Sequence, residues 1–307
     1  VGPNAGNRPW LLAAGVLCGL AGSVKWSGIY VLALLGLFVA IREITARWAE
    51  GHPSPVRGAL LADVWWAFIL MVPPAILTYI ASWFGWFIHP RAYGHGRSGI
   101  SGFGGALADL WLYHRDMWKF HNGLETPHTY QSNPYTWLAQ IRPTSFHWAN
   151  GEAVTGCPSG NCATNVVALG NPILWWIGIG ALMLVVWGTF YYRNWRAGVI
   201  LTGYLALYVP WLGYAHRTIF TFYTVAFAPF VALAVAWMIG LLAGAVAPDG
   251  QPSVLPMPRR TEITGRVMAV GLTLTILACA LWFLPLWRAD VVDYDFWRAH
   301  MWLPTWI

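Results

Sequence analysis

An all-α polytopic membrane fold is what this sequence predicts, on three observations. Of its 307 residues, 57% are hydrophobic and 10% charged, where a soluble domain carries about 25% charged residues. Apolar runs near the ~20 residues that cross a hydrocarbon core recur along the chain. The 22 Trp and 13 Tyr supply amphipathic rings of the kind that collect at the membrane–water boundary. A formal charge of +6 would suggest nucleic acid in a soluble chain. Here it reads as loop charge facing the cytoplasm and anionic lipid, and no nucleic-acid partner is expected.

The apolar runs fall at 9–23, 26–41, 61–88, 172–191, 197–213, 219–243 and 265–286. All seven read as helices, and no strand alternation stands out. The first two are short and are separated by a tight Gly-Ser-Val-Lys-Trp turn. Pro73-Pro74 is expected to kink the third. The chain therefore divides into spans 1–3 (1–88), a long loop (89–170), spans 4–7 (171–286) and a tail (287–307).

Lys and Arg orient these elements. Arg8, Arg42, Arg47, Arg57, Arg193, Arg196, Arg259, Arg260 and Arg266 mark the amino-terminal end, 42–60, 192–196 and 244–264 as cytoplasmic. The turn at 24, loop 89–170, turn 214–218 and the tail are then outside. The stretch 247–260, APDGQPSVLPMPRR, reads as a mobile Pro-rich linker. The opening VGPNAGNRPW has neither an initiator Met nor a signal-peptide pattern, so the sequence reads as a piece of a longer protein.

Cys157 and Cys162 lie in TGCPSGNCATN on the oxidising side, where a small disulfide ring is expected; half of a metal site is the rival reading, without a second ligand pair nearby. Cys18 and Cys279 sit within spans as buried small residues. Around 111–121, WLYHRDMWKFH reads as an interfacial helix with Trp111, Trp118 and Phe120 toward lipid. His114, His121 and His128 are candidate substrate contacts or structural residues; their spacing supports no metal set. Arg142 is suited to a carboxylate or phosphate, and Trp137, with Gln131 and Asn133 beside it, to the apolar face of a sugar ring. The competing reading of that segment is a loop folded back on the membrane surface.

Arg217, in YAHRTIFTFYT, breaks the charge trend at the outer face, as does Lys25. A cation at that depth must snorkel or meet an anion. A lipid phosphate is the anion on offer, so Arg217 together with Lys25 is a candidate phosphate site, against ordinary headgroup contact. Phe220 and Tyr223 follow Arg217 on one helical face and are placed to flank a lipid chain.

Three stretches, GLAGSVKWSGIYVLALLG (19–36), HTYQSNPYTWLAQIRP (128–143) and RTIFTFYTVAFAPF (217–230), together resemble the protein O-mannosyltransferases of the bacterial, actinobacterial-type branch. The family motif His-Pro-Tyr-x-Ser-x-Pro-x-x-Trp is matched by His128, Tyr130, Ser132, Pro134 and Trp137, with Thr129 in place of Pro. The repeat domain that eukaryotic members insert in this loop is not present in the sequence. The resemblance implies the GT-C-type fold of enzymes that use polyprenyl-phosphate sugars, and these seven spans would be the family's last seven. It implies inverting transfer of mannose from polyprenyl-phosphate mannose to Ser or Thr of exported proteins, at the outer face of a bacterial plasma membrane. Acceptors delivered by the translocon, and membrane lipids, are the implied partners. On this reading His128, Tyr130, Ser132, Trp137 and Arg142 bind sugar or acceptor, while Arg217, Lys25, Phe220 and Tyr223 hold the donor lipid phosphate. No metal ligand is assigned, and no cofactor; divalent-cation dependence is left open.

The family's acidic pair is not matched. The outer carboxylates Asp109, Asp116, Glu125, Glu152, Asp290, Asp293 and Asp295 do not reproduce it, and the last three read as a solvated surface or at most a Ca²⁺-tolerant patch. The catalytic base is thus expected upstream of this sequence, and the chain alone is expected to be inactive. Two further readings remain: another polyprenyl-phosphate-sugar transferase acting on a glycolipid or wall polymer, and a transporter or structural subunit. The spans show neither internal repeats nor deep charges that a transporter requires.

Overall fold

The computed structural model describes residues 8–157, 160–249 and 259–307. Most of the 247–260 linker, the first seven residues, and the side chains of Glu152, Arg259 and Arg260 lie outside the described residues. The chain is an all-α polytopic membrane protein with one small sheet, divided into two compact units, Val1–Glu125 and Thr126–Ile307. Among the described residues, four helices are long and apolar enough to cross a membrane: Ser27–Ala49, Pro55–Ser82, Pro172–Phe190 and Thr261–Trp287. Two shorter apolar helices, Pro9–Val24 and Ala228–Leu242, accompany them.

In the first unit, α1 (Pro9–Val24) opens with Pro at its first turn, where a missing N–H costs nothing. It lies against α4 (Trp65–Ser82), and α2 (Ser27–Ala49) returns beside it. Gly15 and Gly19, four apart, make the α1–α4 approach close: a Cβ on Gly15 would sit 2.5 Å from the Met71 carbonyl oxygen, and one on Gly19 2.5 Å from that of Ala75. Small residues at this spacing let two backbones meet without a hydrophobic driving force. Pro73 and Pro74 both stay inside α4. Before it, α3 (Pro55–Ala59) runs through a π-helical turn, Leu60–Val64. That turn carries Asp63, which is buried among Arg8 (3.1 Å) and Arg47, while Glu43 receives Arg8 at 3.0 Å and Arg47 at 3.7 Å. Asp63 therefore closes a buried ion-pair cluster.

The unit continues with α5 (Phe84–Ile88) and α6 (Gly102–Asn122). Trp111 and Phe120 are exposed along α6. Trp118 stacks on Trp26, and so does His114, whose Nε2 lies 2.5 Å from the Tyr79 hydroxyl. The glycine-rich loop ahead of α6 folds over Asp109, which accepts the Gly96 N–H at 2.7 Å and the Ser98 N–H at 2.6 Å. Burial alone would raise the Asp109 carboxyl, but the Ser98 and Gly96 bonds prevail and hold it below the ordinary carboxylate range.

The second unit begins with a loop and a sheet that the sequence reading missed. Strands β1 (Thr144–Asn150), β2 (Cys162–Ala168) and β3 (Val292–Asp293) pair antiparallel in that order, so the tail is stitched to the loop. A bulge falls between Ser145 and His147. Cys157 is joined to Cys162 across the β1–β2 connection, with Cα atoms 5.7 Å apart. Helices α7 (Pro172–Phe190), α8 (Trp195–Gly213), α9 (Ala228–Leu242) and α10 (Arg259–Trp287) follow. Asn171 and Asn194 cap α7 and α8 with their side-chain oxygens. After β3, α11 (Tyr294–Ala299) packs Trp297 and then Trp306 against Phe283 and Leu286 of α10. His300, fully buried, sets its two ring nitrogens against the carbonyls of Phe296 (2.6 Å) and Trp282 (2.8 Å) and fixes the tail to α10.

Candidate functional site

The predicted motif 128–143 and the stretch 214–227 are brought together in the second unit by hydrogen bonds from short side chains. The Ser132 N–H donates to the Ile219 carbonyl at 2.9 Å. Its hydroxyl lies 2.8 Å from that of Thr221, and Thr221 in turn donates to the Arg142 carbonyl. Thr218 donates to the Thr126 carbonyl. Asn133 accepts from the Tyr135 N–H and starts a one-turn 3₁₀ helix, Pro134–Thr136, whose first carbonyl receives the Tyr208 hydroxyl at 3.2 Å.

These contacts change the reading of 219–243. The stretch is not one helix: Phe220 is extended, Thr221–Ala226 is 3₁₀, and α9 starts only at Ala228. Pro229 has no N–H to donate to a carbonyl four residues back and is tolerated only in a first turn, so the helix begins beside it. Thr218, Thr221 and Thr224 are all buried, at the period of three that a 3₁₀ turn eclipses. That threonine period was the available signal. Phe220 and Tyr223 thus do not share a face of a regular helix with Arg217, yet their rings meet edge-on at 6.3 Å.

Several motif residues form framework. Trp137 is 0% exposed. Its Nε1–H donates to Ser132 Oγ at 2.9 Å, and its ring packs on Trp211, Tyr223 and Phe227. The expected free face for a sugar ring is therefore absent, because aromatic neighbours cover it. Ser132 is buried as the acceptor of that indole. Arg142 meets main-chain oxygens: Thr305 at 2.6 Å, Ile307 at 2.9 Å and Thr129 at 3.1 Å, with Tyr130 beneath its guanidinium at 5.0 Å. Gln140, missed by the sequence reading, is buried with φ +55° and joins Gly170, Trp137 and Trp306.

What remains at the surface is a rim. His128 is exposed, accepts the Tyr130 N–H on Nδ1 at 3.1 Å, and meets the edge of Phe220 at 5.0 Å. Phe220 stacks on Phe222 at 5.3 Å, and Phe222 meets Phe146 of β1 at 5.5 Å. Tyr223 stacks on Trp211 at 4.6 Å. Arg217 is half-buried in the turn after α8, its guanidinium 5.8 Å from the Tyr214 ring centre, and its charge is felt at Tyr223. Its Nε is buried and meets no hydrogen-bond partner among the described residues. A cation held this way can take an anion whose remainder is apolar enough to lie along aromatic rings. Lys25 follows α1 in the first unit and is exposed. No group of three His, Cys, Asp or Glu able to hold a metal occurs among the described residues.

A family model described as the C-terminal four TMM region of protein-O-mannosyltransferase matches residues 106–306. A second, described as dolichyl-phosphate-mannose-protein mannosyltransferase, matches residues 4–84. Three relatives bear the name polyprenol-phosphate-mannose–protein mannosyltransferase. The chain is 32% identical to that of Mycolicibacterium smegmatis, 28% to that of Mycobacterium tuberculosis and 30% to that of Corynebacterium glutamicum, in each case over 99% of this chain and 59% of the relative. The chain thus spans 59% of the length of these curated relatives. No solved structure matches it.

Proposed function

The chain belongs to the protein-O-mannosyltransferase family, and from that membership we propose that it serves transfer of mannose from polyprenyl-phosphate mannose to Ser or Thr hydroxyls of exported proteins. The active face is the outer face of a bacterial plasma membrane, in keeping with the charge of the loops. The observation that carries the reading is Arg217, a half-buried cation with an unpartnered buried Nε beside aromatic rings.

The chemistry asks little of a leaving-group acid. The acceptor oxygen attacks the anomeric carbon with inversion, the bond from that carbon to the phosphate oxygen breaks, and the lipid phosphate leaves with the electron pair. It departs as an anion, so a fixed cation lowers the barrier directly. Arg217 fills that role, with Phe220 and Tyr223 along the lipid and His128 at the acceptor side. The hydroxyl proton goes to a base of carboxylate type, which we assign to none of the described carboxylates. Asp109 is taken up by loop amides, Asp116 by Arg97, Asp290 by Arg288 and Asp293 by the Asp295 N–H.

The test is photo-crosslinking with a polyprenyl-phosphate mannose analogue in membranes, followed by peptide mapping. Labelling within 217–223 that falls at least about tenfold in Arg217→Ala, and in part in Arg217→Lys, is expected. Equal labelling of wild type and Arg217→Ala would overturn the phosphate role.

A further inference from the structure

Strand β1 is an edge. It pairs with β2 on one side, and β2 carries β3 on its other side. On the free side of Thr144–Asn150, the one hydrogen bond described to its backbone is from the Ser145 hydroxyl to the His147 carbonyl, 3.2 Å, within the strand itself. Exposed strand edges are ordinarily blunted by Lys, Pro or other charged residues. The sequence TSFHWAN contains none of these. Its one interruption is the bulge at Phe146, which leaves His147–Asn150 in regular register with β2. Beyond the buried Thr144 the strand is largely exposed: Phe146 is 61% and Trp148 37% exposed, the latter with its ring 4.1 Å from that of Trp297, and His147 and Asn150 are exposed beside them.

A row of N–H and C=O groups with no other partner among the described residues, at about 3.2–3.4 Å rise per residue, is complementary to one kind of ligand, another extended main chain. The edge also leads somewhere. Phe146 meets Phe222, Phe222 stacks on Phe220, and Phe220 belongs to the rim with His128 and Tyr223. A polypeptide lying along β1 would bring its side chains to that rim in alternation.

We propose that the free edge of β1 binds the acceptor polypeptide, which adds to the sheet as a further strand and presents a Ser or Thr hydroxyl at the Phe220 rim. This rests on the mannosyl-transfer reading and adds to it the form in which the acceptor binds: extended, recognised through its backbone, with uncharged side chains against Phe146 and Trp148. Backbone recognition serves an enzyme that modifies hydroxyls in many sequence contexts, because the main chain is common to all of them.

The experiment uses the intact membrane protein in nanodiscs and a fluorescent nine-residue peptide with one central Thr flanked by Ala and Val. A set of peptides carries one N-methyl group each, moved along the backbone. Strand addition predicts a period of two: methylation of every second amide weakens binding about tenfold, and methylation of the amides between leaves it nearly unchanged. A photo-reactive residue in place of Asn150 is expected to label the peptide at a fixed position. Equal sensitivity at all amides, no saturable binding, or peptide labelling confined to sites away from 144–150 would each overturn the proposal. So would β1 amides protected from exchange by concentration-dependent self-association alone, which would make the edge a contact between copies. Labelling by the polyprenyl-phosphate analogue is read in parallel. If donor labelling persists while the peptide pattern fails, the edge assignment falls and the transferase reading stands; if donor labelling fails, that reading falls.

Discussion

The Trp137 indole donates to the Ser132 hydroxyl at 2.9 Å, and both side chains are closed off from solvent. The pair ties the most recognisable part of the loop motif to Thr221 and hence to the turn that carries Arg217. Ser132→Ala removes the nearer acceptor of a buried N–H, which keeps the Ser132 carbonyl at 3.3 Å, and should cost about 0.5–1.5 kcal/mol. Trp137→Ala should cost about 3–5 kcal/mol. Thermal unfolding in detergent checks both. Weaker sugar binding at an unchanged Tm would contradict the framework role.

Arg142 holds three carbonyls, two of them in residues 305–307. In Arg142→Ala the segment 300–307 should exchange its amide protons faster and be cut sooner by protease, while Arg217-dependent donor labelling persists. Hydrogen-exchange mass spectrometry of the carboxyl-terminal peptide reads the first effect.

The loop over Asp109 should be acid-sensitive. Its folded carboxyl lies below the ordinary value of 3.8. A depressed acid contributes fully above its unfolded value and loses that contribution as pH falls through the folded one. The Gly96 and Ser98 amides should therefore stay protected above about pH 5 and open below the carboxylate range. Asp109→Asn should leave them open at neutral pH. Protection that is flat with pH would refute this.

The ion cluster of the first unit should behave as a closed set. Asp63→Asn leaves the Arg47 and Arg8 cations short of charge and should destabilise by about 3–5 kcal/mol. Replacing both Arg47 and Asp63, by Met and Leu, should recover much of that loss. Unfolding midpoints of Arg47→Met, Asp63→Leu and the double variant give the comparison, and an additive double variant would show that the two residues do not act together.

Gly15→Val should separate α1 from α4. Its side chain starts where the Met71 carbonyl already lies, 2.5 Å away, and overpacking of this kind costs about 1–3 kcal/mol. Cysteine cross-linking between the two helices should fall in step with the unfolding midpoint.

How much of this was legible depended on the kind of force involved. Helices driven by apolar length stood out: 172–191 and 197–213 were read from the sequence, and the helices run Pro172–Phe190 and Trp195–Gly213. The sheet did not, since TSFHWAN alternates weakly and its partner strand lies across a disulfide-closed connection. The break at 219–227 was hidden by hydrophobicity, although three threonines and Pro229 marked it. Trp137 was read as a binding face because the sequence names a residue without its neighbours; only Trp211 and Phe227, brought from α8 and the α9 start, reveal it as core. Arg217 was singled out because a cation against the charge trend needs a cause, a one-dimensional argument that does not depend on packing.

The clasp between Arg142 and Thr305 spans 163 positions of the chain. A ribosome makes one end well before the other, so the loop that bears His128 and Ser132 leaves the synthesis machinery without its latch. Until residues 305–307 emerge, Gln140 lacks the Trp306 indole that caps its carbonyl. The loop is thereby latched late, and a nascent chain stalled before Thr305 would carry every rim residue without the clasp that ties 140–142 to 305–307. Assembly of the loop that bears the candidate site is in effect timed by the translation of residues 305–307.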